Sequence, residues 1–220
     1  MKSGETCDYP SMDMPQSWYM EYCAKQRKKK VLNMSKTISK IQNMTAQQLL
    51  KFGGQADSVP VDLMAILEAA DISCLPYDFS NIEKQVYGDD IKQRILGALV
   101  TKDDNAAIFY RATDDVDGHR YRFTIAHELA HCCLSHIDFS QSRIHLALRE
   151  EGEPKDEKEV AANIFAGEIL IPREALENVI KKLILPSVQT LADIFAVSVN
   201  VMRARLDYLK IRDNIVGYNY

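Results

Sequence analysis

Apolar residues recur three and four positions apart in several stretches of the chain, and each such stretch predicts a helix. In VDLMAILEAADI the stripe runs through Leu63, Ile66, Leu67 and Ala70, with Pro60 ahead of it as a start signal. Residues 122–136, RFTIAHELAHCCLSH, are apolar or small at Ile125, Ala126, Leu129, Ala130, Cys132, Cys133 and Leu134, and Thr124 is the expected N-cap. Residues 157–172, EKEVAANIFAGEILIP, read as a second, mostly apolar helix. Near the end, Gln189 to Ala196 and Asn200 to Leu209 form two helices around a turn at Val197 and Ser198. Weaker helical patterns start at Pro15, in PQSWYMEYCAKQRKK, and run from about Ser35 to Phe52. RILGALV and AAIFYRA are short β-rich runs joined by TKDDN, so a paired hairpin is expected. The pair Gly53-Gly54, followed by QADSVP, reads as a boundary. It divides an N-terminal extension, residues 1–57, helical or partly disordered, from a main domain, residues 58–220, whose last part (186–212) is a helical cap.

Composition narrows the class. With 220 residues, 46% hydrophobic and 26% charged, the chain has the makeup of a globular protein with room for one sizeable core. It has no apolar run of about 18 residues, which sets aside a membrane partner, and its start lacks a signal-peptide pattern, so a cytoplasmic location is expected. The five cysteines are odd in number and lack framework spacing, and adjacent Cys132 and Cys133 fit reduced, buried thiols. Residues 1–57 hold nine Lys or Arg against five Asp or Glu, a balance of +4, so the rest of a −4 chain carries −8. The basic excess centres on KQRKKK, residues 25–30, which reads as a solvated run, with contact to nucleic acid or an acidic partner as the alternative.

The chemistry lies in what interrupts the two apolar helices. His127, His131 and Ser135 are spaced by four, with Glu128 beside the first. Such a stripe can simply face water. It can also hold a metal, because side chains four apart on a helix stand about 5–6 Å apart, and two neutral imidazoles can then converge on one Zn²⁺. Glu128, about 100° round the helix from its neighbour, points alongside such an ion and can take a proton from water. The third ligand is sought on the second helix, where Glu159 and Asn163 form another pair four apart, continued by Gly167. Buried carboxylates and imidazoles are costly unless paired or metal-bound, so the two polar pairs are expected to face each other. Glu159 is then the third ligand, and Asn163 fixes the orientation of a ligand histidine. Glu157, Asp156 and Glu153 are weaker competitors because they precede the apolar run.

These two segments, RYRFTIAHELAHCCLSH and EKEVAANIFAGEILIP, resemble the ImmA/IrrE family of zinc metallopeptidases. The likeness extends to VPVDLMAILEAADI, LGALVTKDDNAAIFY and LADIFAVSVNVMRARL, and so covers about residues 59–212. Ala161 and Ile171 depart from the usual pattern without touching an expected ligand. The resemblance implies a compact α+β fold of minimal zincin type, with a short, mostly antiparallel sheet packed on the helix bearing HELAH and a helical C-terminal part. It implies a site-specific endopeptidase whose protein substrate is a helix-turn-helix repressor of mobile-element or stress genes. It makes His127, His131 and Glu159 the zinc ligands and Glu128 the catalytic base. Tyr110, His136, Arg143 and His145 are candidates for the group that stabilises the oxyanion, and His119 reads as a surface histidine.

Two features stay open to competing readings. NAAIFYR can be the exposed edge of the sheet, where an extended substrate adds as a further strand, or a covered strand with Ile108 and Tyr110 in the core. The C-terminal helices have helix-turn-helix spacing, with Asn200, Arg203 and Arg205 available to reach DNA. The acidic balance of residues 58–220 disfavours nucleic acid. The preferred reading is a cap with Leu191, Phe195, Val201, Met202 and Leu206 as core. A regulator that binds a repressor or DNA without cutting is the alternative function.

Overall fold

The computed structural model describes residues 38–87, 94–102, 105–111, 119–136, 143–148, 156–211 and 215–216. The expected helix at Pro15 and the basic run 25–30 lie outside them. A compact unit runs from Lys36 to Tyr220. It contains eight α-helices and a four-stranded sheet among the described residues, an α+β fold as expected.

After a 3₁₀ turn at Ile38–Lys40, α1 spans Ala46–Phe52 and α2 Leu63–Ala69. Strand β1, Ser73–Pro76, leads to α3, Ser80–Tyr87. The hairpin follows as β2, Ile95–Lys102, and β3, Asn105–Tyr110. Then come α4, Arg120–Cys133, β4, Arg143–Leu148, and α5, Glu157–Leu170. Three helices close the chain: α6, Arg173–Lys182, α7, Val188–Phe195, and α8, Val199–Leu209. None of the described helices is long and apolar enough to cross a membrane.

The strands lie in the order β1-β3-β2-β4, with β1 parallel to β3 and the other two pairings antiparallel. Period-two alternation divides the sheet into two apolar faces. Leu99 and Ile108 enter the main core with Ile125 and Leu129 of α4. Their neighbours Ala98 and Phe109 point the other way, to Phe79 beside α3. On the core face, β4 places His145 opposite Leu99, and thus toward α4. Arg122 anchors the start of α4 by donating from Nη2 to the Val61 carbonyl (2.7 Å) and from Nε to the Ala196 carbonyl (3.0 Å).

The structure decides or alters several of these readings. Of the two readings of NAAIFYR, the covered strand is the one seen: β1 and β2 flank β3, Ile108 is buried, and among the described strands the edges are β1 and β4. Thr124 is not an N-cap, because α4 begins four residues earlier at Arg120 and buries Thr124 inside the helix. The expected division at 57/58 does not fall at an edge of the compact unit. Ile38, Ile41, Leu49 and Leu50 lie in the same core as α4, and Asn43 N donates to the Cys133 carbonyl at 2.8 Å. Gly53 is required by close packing, since a Cβ there would sit 2.5 Å from Ile66 Cγ1. Finally, Arg205 does not reach outward. It is buried and donates from Nε to the Ile171 carbonyl at 3.0 Å, which satisfies the end of α5. Leu191, Phe195, Met202 and Leu206 are fully buried, as a cap requires, and Val201 is half-buried.

Candidate metal centre

Helices α4 and α5 are each 14 residues long and pack against each other. Their apolar faces supply the contact through Leu129, Ala130, Ala162 and Ala166, all buried. Helix α5 starts at Asp156, whose side chain accepts from Lys158 N at 2.9 Å, and the first-turn acids Glu157 and Glu159 suit the positive end of its dipole. Asp156 is therefore occupied as a cap, and Glu157 is exposed. Glu159, the inward member of the turn, faces His127 and His131. Glu153 lies outside the described residues.

The expected residues converge. His127 Nε2 stands 3.0 Å from His131 Nε2 and 3.0 Å from Glu159 Oε2, while His131 Nε2 is 3.4 Å from Glu159 Oε1. One ligand atom from each lies within 4.8 Å of the others. Around a tetrahedral zinc with bonds of about 2.0–2.1 Å, ligand atoms stand roughly 3.3 Å apart. The observed spacings match that requirement.

Tautomers can be read from the outer nitrogens. Asn163 Oδ1 accepts from His127 Nδ1 at 2.9 Å, so Nε2 of that ring carries its lone pair. Asn163 thus meets the outer nitrogen of His127. His131 Nδ1 is 3.2 Å from His136 Nδ1, a partner that leaves its Nε2 facing the cluster. Burial first, then the neighbouring His127 and His145 rings, holds His131 well below the usual histidine range. Glu159 is held well below the usual carboxylate range, first by the adjacent His127 side chain. A neutral imidazole beside an ionised carboxylate is the protonation pattern that a divalent cation needs. With no ion between them, the two facing Nε2 atoms at 3.0 Å can share one proton, which a bound cation would replace.

Glu128 lies apart from this trio and is fully buried. Its Oε2 meets His145 Nδ1 at 3.2 Å, and its Oε1 finds no hydrogen-bond partner among the described residues. An orphaned carboxylate oxygen beside a cation-shaped cluster fits a group that must accept a proton during a reaction. His145 also extends its Nε2 to 3.5 Å from Glu159 Oε1. The Glu128 hydrogen bond is the main reason its pKa is raised.

Among the oxyanion candidates, the geometry separates His145 from the rest. Tyr110 stacks on Tyr121 at 5.3 Å, about 9 Å along the α4 axis from His127. His136 touches only the outer nitrogen of His131 among the contacts of its ring nitrogens, and burial with nearby Lys158 lowers its pKa. The Arg143 side chain lies outside the described residues, and His119 sits at the half-exposed start of α4. The pairing of His145 with Glu128 was not foreseen. The alternation of RIHLAL was the available signal, since it marks a strand that must turn His145 to one face.

Residues 90–207, just over half the chain, match the profile of the M78 peptidases, described as the IrrE N-terminal-like domain. No curated protein matches the chain.

Proposed function

The chain belongs to the M78 peptidase family, and from that premise we propose that it is a zinc-dependent, site-specific endopeptidase. His127, His131 and Glu159 hold the metal, and Glu128 is the catalytic base. The observation that carries this reading is the convergence of two imidazole Nε2 atoms and one carboxylate at 3.0–3.4 Å beside Glu128 Oε1, which has no partner among the described residues. When bound, zinc supplies Lewis acidity, making water a nucleophile at neutral pH and polarising the scissile carbonyl.

The chain's own residues do the rest. Asn163 fixes the His127 tautomer, so that its lone pair faces inward. Glu128 Oε1 takes the proton from the attacking water and returns it to the leaving amine. His145, held by Glu128 Oε2, donates from Nε2 to the oxygen on which negative charge develops. Among the described strands β4 has one unpaired side, and it offers main-chain groups to an extended substrate, a role that one of the two readings had given to β3.

The substrate is a helix-turn-helix repressor of mobile-element or stress genes, cut in the cytoplasm. Support for this comes from the resemblance of HELAH and its partner segment to the ImmA/IrrE peptidases. Co-expression of a repressor encoded beside this gene with wild-type or Glu128→Gln protein tests the reading. A defined fragment is expected with the wild type, and at least about 10²-fold less of it with the variant. Equal derepression by both proteins without a fragment would establish the non-cutting binder instead.

A further inference from the structure

A cleft of about 360 Å³ opens between α5 and α8, one turn beyond the histidine cluster. Its walls include Phe123, Asn163, Ile164, Gly167, Val201 and Tyr208. The volume falls within the roughly 300–1,000 Å³ of ligand sites. Asn163 and Asn200 aside, the lining is apolar or amphipathic, with Arg205 its one charged member. Arg205 gives its Nε to the Ile171 carbonyl and lays its guanidinium over Tyr208, at 5.6 Å from the ring centroid, so its charge is already engaged.

The cleft adjoins the candidate metal centre on the outer side of His127. Asn163 lines it and holds His127, while Phe123 lines it and lies 6.3 Å from the His127 ring centroid. Asn200, Ala204 and Tyr208 are exposed at its mouth.

Gly167 is the telling residue. It continues the Glu159 and Asn163 stripe inside α5, where glycine weakens a helix relative to alanine. Nothing in the packing demands it, because an added Cβ would meet only Arg205 Cδ at an ordinary 3.7 Å. What the missing side chain provides is depth in the cleft.

We propose that this cleft is the specificity pocket of the peptidase, taking a large apolar side chain of the substrate, with Gly167 setting its depth. The proposal rests on the zinc-peptidase reading above. Asn163 and Gly167 lie about 6 and 12 Å along α5 from Glu159. An extended peptide rises about 3.3 Å per residue, so the pocket serves a position roughly two to four residues from the scissile bond.

The test uses zinc-loaded full-length protein and hydroxamates carrying four-residue peptides on either side of the zinc-binding group, with Phe scanned through an all-alanine background. Calorimetry reads the affinity ratio of Phe to Ala at each position, independently of hydrolysis. In the wild type, one position two to four residues from the hydroxamate gains at least about 10-fold from Phe. In Gly167→Leu that ratio falls close to one. Ala204→Phe, a change at an exposed residue on the opposite wall, lowers it as well, so the result does not hang on one variant's folding. A flat Phe scan in the wild type, or a gain that survives both variants, overturns the pocket. Absence of any hydroxamate binding overturns pocket and metal centre together. The Phe preference in a protein that cuts no member of a proteome-derived peptide library overturns the peptidase reading alone and leaves the cleft as a binding site.

Discussion

In the C-terminal helices several capping or surface polar groups find their partners within their own turn. Ser187 Oγ accepts from Thr190 N at 3.0 Å, Ser198 Oγ from Val201 N at 3.3 Å, and Gln189 donates to Asp193 at 2.8 Å. Between α4 and α5 the polar groups instead face one another across the helix pair, buried or half-buried, and Glu128 Oε1 finds no partner among the described residues. The first arrangement stabilises the fold at little cost. The second costs stability unless something positive completes it. Buried polar groups without local partners therefore separate the chemical part of this molecule from its scaffold.

Removing the metal should open the widest gap between the two regions. At a free zinc concentration a thousandfold above its Kd, binding adds about 4 kcal/mol to stability. For a chain of this size that is roughly 8–16 °C in Tm. Calorimetry of the chelated protein should show a drop of that order, and His131→Ala should show none on chelation.

Leu206→Ala strikes the scaffold instead. Its side chain is fully buried, so a cost of about 2–5 kcal/mol is expected in denaturant unfolding. Zinc stoichiometry in the folded variant should be unchanged. Smaller again is Ser198→Ala, which removes one cap for about 1 kcal/mol and should leave peptide hydrolysis at the wild-type rate. The smallest effect expected is none. Cys132 and Cys133 have no exposed surface, so iodoacetamide should leave both unmodified in the native protein, as judged by peptide mass, and label them after unfolding.

The same contrast explains what could be read in advance. Helices α4 and α5, the hairpin and the α7–α8 pair carry their signals locally, as stripes, turns and caps, and the polar pairs at 127/131 and 159/163 stood out against apolar surroundings. Sheet order did not. Strand β4 pairs with β2 across more than forty residues of sequence, and β1 is four residues ending in Pro76, so neither the true edges nor the meeting of His145 with Glu128 was written in any one window. Gly53 imitated a linker because glycine serves both turns and close approach, and only the position of Ile66 distinguishes them. Arg205 looked like a surface cation because its partner, the Ile171 carbonyl, lies 34 residues away.

The central claim is that the polar face between α4 and α5 is a metal site built by His127, His131 and Glu159. Elemental analysis of the purified protein after zinc loading and removal of excess metal tests it most directly, with His127→Ala, His131→Ala and Glu159→Ala run beside the wild type. One zinc per chain is expected in the wild type, with most of it lost in each variant while the fold, judged by circular dichroism, is kept. Full zinc occupancy in any of the three folded variants would contradict the assignment.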